Sequence, residues 1–202
     1  MISLKAFLPV LASILNISPA ALYERQRALV RLKLLRPEKG RGPGSGVTLT
    51  HESVAILLIA LAVTDNLSET DERVIALCRA RPKSAKALPY PFENLFCEAM
   101  TKLLSSWDFA SSLQEVVVDR NAISSTIKYR RGPRKVSESH FRSRADEADL
   151  WFAISTTATL RRETIVAIGR KLAEAIPAER KLDRSQSIAA SVEKGRTNDW
   201  TR

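Results

Sequence analysis

Apolar residues recur at Leu4, Phe7, Leu8, Leu11, Ile14 and Leu15, the spacing that lines one face of a helix. The pattern predicts a helix over residues 3–15, in two pieces at Pro9, whose ring clashes with the carbonyl four residues earlier. A second helix is predicted over 19–33, with Leu22, Leu29, Val30 and Leu32 on its packing side. Residues 54–63 (VAILLIALAV) are apolar in every direction. Such a helix has to be buried all round, inside one domain or against a partner subunit. Thr50 precedes it as an N-cap, with Glu52 near the positive helix end. Ser68-Glu69-Thr70-Asp71 has the form of a capping box and opens a further helix to about residue 81.

The second half changes period. Residues 92–106 are amphipathic, with Leu95, Phe96, Ala99, Leu103 and Leu104 on one side. Alternation then marks two strands, 112–119 (Leu113, Val116, Val118) and 122–130 (Ile123, Ile127, Tyr129), around an Asp119-Arg120-Asn121 turn. A third β-rich run, Leu150 to Thr157, leads into a helix over 161–176 that ends before Pro177. An α-β-β-β-α order suits a small antiparallel sheet with helices on one face. Residues 81–91, with three prolines and three basic groups, read as a linker. Residues 178–202 are polar, mixed in charge, and expected to be a disordered tail.

Between the first two helices lies the most specific local signal. Ala12 is a small residue where a second helix can approach closely, and Asn16 suits a turn position with positive φ. Ser18 can cap the second helix, and Pro19 stands in its first turn, where no amide donor is needed. Ala20, Tyr23, Glu24, Arg27 and Arg31 share one face by their spacing. Arginine can fork to guanine O6 and N7, and Tyr23 and the helix start suit phosphate or thymine-methyl contact. On an ordinary solvated face, Glu24 and Arg27 would simply pair. Four of the seven glycines then fall in Glu38-Lys39-Gly40-Arg41-Gly42-Pro43-Gly44-Ser45-Gly46, with short strands expected on either side, 34–36 and 47–49. Glycines let such a tip follow a phosphate backbone, and Lys39 and Arg41 would supply counter-charge. The loop lacks the Gly-Lys-Ser/Thr ending of a nucleotide-binding loop.

This arrangement resembles the helix-turn-helix of DNA-binding regulators. Leu22-Tyr23-Glu24-Arg25, Leu34-Leu35-x-Pro37, the Gly/Arg loop and Thr50-His51-Glu52-Ser53-Val54 are similar, in that order, to MerR-like winged-helix regulators. The resemblance covers about the first third of the chain. The segment between Arg25 and Leu34 is longer than in that family, the loop lacks its aromatic residues, and no long coiled-coil helix follows. What the resemblance implies is the DNA-binding mode alone. Helix 19–33 would read the major groove through Ser18, Ala20, Tyr23, Glu24, Arg25, Arg27 and Arg31. The 36–47 wing would meet the backbone or minor groove through Lys39 and Arg41.

The expected fold class is therefore α+β, an N-terminal winged helix-turn-helix followed by the small antiparallel-sheet unit. The expected divisions are 1–75 (DNA binding), 76–91 (helix end and linker), 92–177 (dimerisation or partner binding) and 178–202 (tail).

Composition changes this picture in few places. The chain has 202 residues, 45% of them hydrophobic, enough for one large domain or two small ones. A net charge of +10 suggests a polyanionic partner, although ribosomal, membrane-surface and phage structural proteins share it. A second basic cluster, Lys128, Arg130, Arg131, Arg134 and Lys135 beside Tyr129, with Arg142 and Arg144 following, is a further candidate nucleic-acid contact. Cys78 and Cys97 lack metal-ligand spacing, so neither a disulfide framework nor a zinc site is expected, and the reduced cytoplasm is the default. A lysine ahead of an apolar run at the start has the look of a signal peptide, but its helical periodicity favours a packed helix. No apolar stretch reaches the roughly 18 residues of a membrane span.

Catalytic groups do not assemble. Cys97 with His140 has no third partner in view, and Asp146, Glu147 and Asp149 cannot all face one metal. No enzyme, cofactor or metal is expected. The expected function is a sequence-specific transcriptional regulator on double-stranded DNA, acting as a homodimer. The alternatives are an architectural or recombination accessory protein of a mobile element and, more distantly, an assembly module that binds no DNA.

Overall fold

The computed structural model describes residues 2–37, 46–64, 70–83, 95–130, 136–143 and 156–176. Its helices are α1 (Leu4–Leu15), α2 (Pro19–Arg31), α3 (His51–Val63), α4 (Thr70–Cys78), α5 (Phe96–Ser105), α6 (Trp107–Ser112) and α7 (Arg162–Ala175). Its strands are β1 (Arg81–Pro82), β2 (Leu113–Asp119), β3 (Ser124–Arg130), β4 (Val136–Arg142) and β5 (Thr157–Arg161).

Thr50 and Ser53 start α3 by exchanging side-chain-to-amide hydrogen bonds, both 3.0 Å, a reciprocal cap that satisfies two donors with no helical partner. Every residue from Ser53 to Ala60 is buried, as the all-apolar sequence requires. The cover comes from this same chain: α2, α4, α5, β2 and β5 all pack on α3. One apolar cluster runs from Leu4 in α1 through Leu57 and Leu58 in α3 to Leu172 in α7. The boundary expected near residue 75 falls inside α4, and the two halves on either side of it share that cluster.

The sheet is antiparallel throughout, in the order β1-β4-β3-β2-β5. Val116, Val118, Ile127, Tyr129 and Phe141 turn inward from it and are buried. Phe141 meets Phe96 of α5 with ring centroids 5.3 Å apart. Helix α7 crosses α5 closely at Gly169, where an added Cβ would stand 3.0 Å from the Leu104 carbonyl oxygen. The outer sheet face is mostly polar, with Val117 and Val136 among its outward positions. Mixed helix and antiparallel sheet is what the α+β expectation required.

Several expectations need correction. Pro9 does not divide α1, which is one helix from Leu4 to Leu15; Pro9 and Lys5 are both exposed, so the carbonyl that Pro9 cannot satisfy faces water. Helix α2 stops at Arg31 rather than 33, because Lys33 turns to φ 60° and the amides of Leu34 and Leu35 both close on the Leu29 carbonyl. Residues 34–36 form no strand; the pairing begins at Pro37, opposite Val47. Arg81 and Pro82, read as linker, are an edge strand on β4. Strand β4 and helix α6 were not foreseen, so the sheet has five strands where three were expected. The run 150–155 and the tail 178–202 lie outside the described residues.

Candidate nucleic-acid interface

Asn16 takes φ 54° and ψ 45° at the end of α1, the left-handed geometry predicted for it, while its amide and that of Ile17 close on the Ala12 carbonyl. Ala12 is buried. Ser18 Oγ accepts from the Ala21 amide at 3.2 Å and starts α2, with Pro19 in the first turn. Local chemistry alone therefore sets the turn between the two helices. Leu22, Gln26, Ala28 and Leu29 are the buried side of α2.

The opposite side carries the predicted contact residues. Ser18, Ala20, Glu24, Arg27 and Arg31 are exposed and Tyr23 is half-buried. Over 13 residues the helix is about 20 Å long, and Arg27 and Arg31 lie one turn apart on it. Arg25 departs from this face. It is half-buried, and its Nη1 atom has no exposed surface. Arg27 Nη1 pairs with Glu24 Oε1 at 3.2 Å, with both side chains about half exposed. Such pairs contribute only about 0.2–0.5 kcal/mol, so Arg27 is released from Glu24 at small cost. Lys5 extends the face from α1, its Nζ 5.1 Å from the Tyr23 ring centroid. Exposed Lys33 and Arg36 follow the end of α2. None of these three cations was singled out from the sequence. Lys5 shows its place only once α1 and α2 are packed together.

Near α1 the chain also forms two β-bridges, Ser3 with Thr48 and Pro37 with Val47. The Leu4 amide donates to the Val47 carbonyl at 2.7 Å and the Leu49 amide to the Ile2 carbonyl at 3.1 Å. Three short extended segments thus meet beside the start of α1, at the base of residues 38–45. Lys39 and Arg41 fall within 38–45, outside the described residues.

The second basic cluster is divided by the sheet. Tyr129 is buried, and its hydroxyl accepts from Ser139 Oγ at 3.3 Å; it cannot stack on a base from there. Lys128 faces outward, tied to Glu115 at 2.9 Å, and this hydrogen bond and charge hold its ammonium above the ordinary lysine range. Arg130 is exposed. Arg131, Arg134 and Lys135 lie outside the described residues.

Two nucleophile candidates sit elsewhere. Cys78 and Cys97 are both free thiols and touch each other across the α4–α5 junction. The hydrogen bond from Cys78 to Cys97, with burial, pushes the Cys78 thiol far up. The same bond holds Cys97 below its usual range, against the opposing effects of burial and of Glu52 and Glu98. His140 lies on the outer sheet face, exposed, with Nδ1 3.0 Å from Thr126 Oγ1. Cys97 lies on α5 beneath the inner face, so the sheet separates the two. The Asp146, Glu147 and Asp149 cluster lies outside the described residues. Among the described residues no helix is long and apolar enough to cross a membrane.

No protein-family model, curated protein or solved structure matches this chain.

Proposed function

We propose that this protein binds double-stranded DNA through the exposed face of α2, as a sequence-specific transcriptional regulator. The observation that carries the reading is the alignment of Tyr23, Arg27 and Arg31 on the solvent side of a helix that a capped, left-handed turn sets against α1. In this reading residues 1–75 act as a winged helix-turn-helix in the manner of MerR-like regulators. The bridges at Ser3, Pro37, Val47 and Thr48 are the base of the wing, and Lys39 and Arg41 meet backbone or minor groove. Arg27 and Arg31 read base edges. Ser18, Ala20, Tyr23 and Lys5 position the helix on the phosphates. Two copies bind together, paired through the α+β half.

The test is site selection on a random duplex library, followed by Arg27→Ala and Lys39→Ala on the selected site. Arg27→Ala is expected to cost about 1–3 kcal/mol on that site and to relax base choice. Lys39→Ala is expected to weaken all sequences alike. Equal losses on selected and random DNA from Arg27→Ala would refute its base-reading role.

A further inference from the structure

The outer face of the sheet carries charge in a pattern that the fold does not need. The strand register sets Arg81 of β1 directly opposite Arg142 of β4, both exposed. Like charges directly opposite each other destabilise a sheet. Neither guanidinium has a hydrogen-bond or ion-pair partner among the described residues. Among the described residues, the acids on this face are already engaged. Glu115 holds Lys128, Glu138 lies 3.5 Å from His140, and Asp119 Oδ1 accepts from the Asn121 and Ala122 amides. Among the described residues no acid is left to compensate Arg81, Arg142 and Arg130.

The layout says which polyanion fits. Arg130 stands opposite Val136, six residues along β4 from Arg142, a span of about 20 Å. That exceeds any single small anion and matches several successive phosphates. Outward positions on β3 and β4 are Ser124, Thr126, Lys128, Arg130, Val136, Glu138, His140 and Arg142, while Tyr129 and Phe141 face the core. Among the described residues this face turns no Phe, Tyr or Trp outward, so they offer no platform on which to stack unpaired bases. It suits the backbone of a duplex, met without sequence preference. Helix α3 packs on α2 and also on β2 and β5, so it stands between this face and the α2 face.

We infer that the outer sheet face is a second, sequence-independent contact with duplex DNA, in which Arg81 and Arg142 straddle one phosphate and Arg130 reaches another. The inference rests on the DNA-binding reading above and adds a surface to it.

The test measures fluorescence anisotropy of the full chain on a random-sequence duplex as salt is raised, for the wild type, R81S/R142S, R81K/R142K and R27A/R31A. R81S/R142S is expected to bind several-fold more weakly, with a log–log salt slope shallower by about 1, and R81K/R142K to restore the slope. Adding R81S/R142S to R27A/R31A should remove the same increment of slope. A thermal melt of R81S/R142S at or above the wild-type midpoint would show that the loss is one of contact, and Arg142→Gln alone, with a smaller loss, serves if the double variant does not fold. An unchanged affinity and slope for R81S/R142S would overturn the sheet contact while leaving α2 to be judged by R27A/R31A. Saturable binding of inorganic phosphate without duplex binding would overturn it too.

Discussion

The Lys5 ammonium stands 5.1 Å from the centroid of the Tyr23 ring, so α1 places a cation on the exposed side of α2. An exposed contact of this kind contributes about 0.5–1 kcal/mol. Lys5→Ala is expected to lower duplex affinity on every sequence alike and to leave base choice unchanged, since Lys5 serves the phosphates in this reading. Binding measured on a selected site and on random DNA would show a common factor; a loss confined to the selected site would contradict the assignment.

Arg120 joins the sheet to the helical layer. Its Nε donates to the Ala62 carbonyl in the last turn of α3 at 2.8 Å, and its own carbonyl accepts from Arg73 Nη1 at 2.8 Å. Hydrogen bonds from a charged group contribute about 1.5–3 kcal/mol when half-buried. Arg120→Ala is expected to lower stability by about that amount in urea unfolding, as one cooperative transition. A midpoint equal to that of the wild type would show that the latch contributes nothing.

A fragment ending at residue 75 should not behave as a domain. It would cut α4 (Thr70–Cys78) and strip α5 from α3, leaving buried residues of an all-apolar helix in water. The expected outcome is an aggregated or molten fragment by size-exclusion and near-UV circular dichroism. A sharp, cooperative melt of residues 1–75 alone would contradict it.

The touching thiols differ in reactivity. Because the thiolate is the nucleophile, Cys97, held low, should be alkylated first, and Cys78, held high and buried, should be modified only on unfolding. Peptide mapping after brief iodoacetamide treatment should find Cys97 labelled, with a rate that rises through a midpoint below that of an ordinary thiol. Cys78→Ala removes the donor that holds Cys97 low and should raise that midpoint. Labelling of Cys78 first in the native protein would reverse the assignment.

What was legible in the sequence was local. Asn16, Ser18 and Pro19 specify the turn between α1 and α2 by backbone chemistry that needs no distant partner, and residues 54–63 can only be interior. Strands β2 and β3 announce themselves by alternation around Asp119, whose carboxylate closes the turn. Strand β4 (VSESHFR) does not, because only Ser139 and Phe141 of its residues are buried, and a serine in the core gives no apolar signal. Tyr129 was grouped with its basic neighbours in sequence, yet the period of two sends it to the opposite face from Lys128 and Arg130. The partners of Lys5, Arg81 and Arg120 lie 18, 61 and 58 positions away, beyond the reach of any periodicity.

In the proposed function the chain holds duplex DNA through α2. The most direct test is anisotropy of the full chain on duplex DNA, titrated with salt, with R27A/R31A beside the wild type. Binding is expected to show a steep log–log salt dependence, with a loss in R27A/R31A that is larger on a selected site than on random sequence. Absence of binding at low salt, or wild-type binding by R27A/R31A on both DNAs, would contradict it.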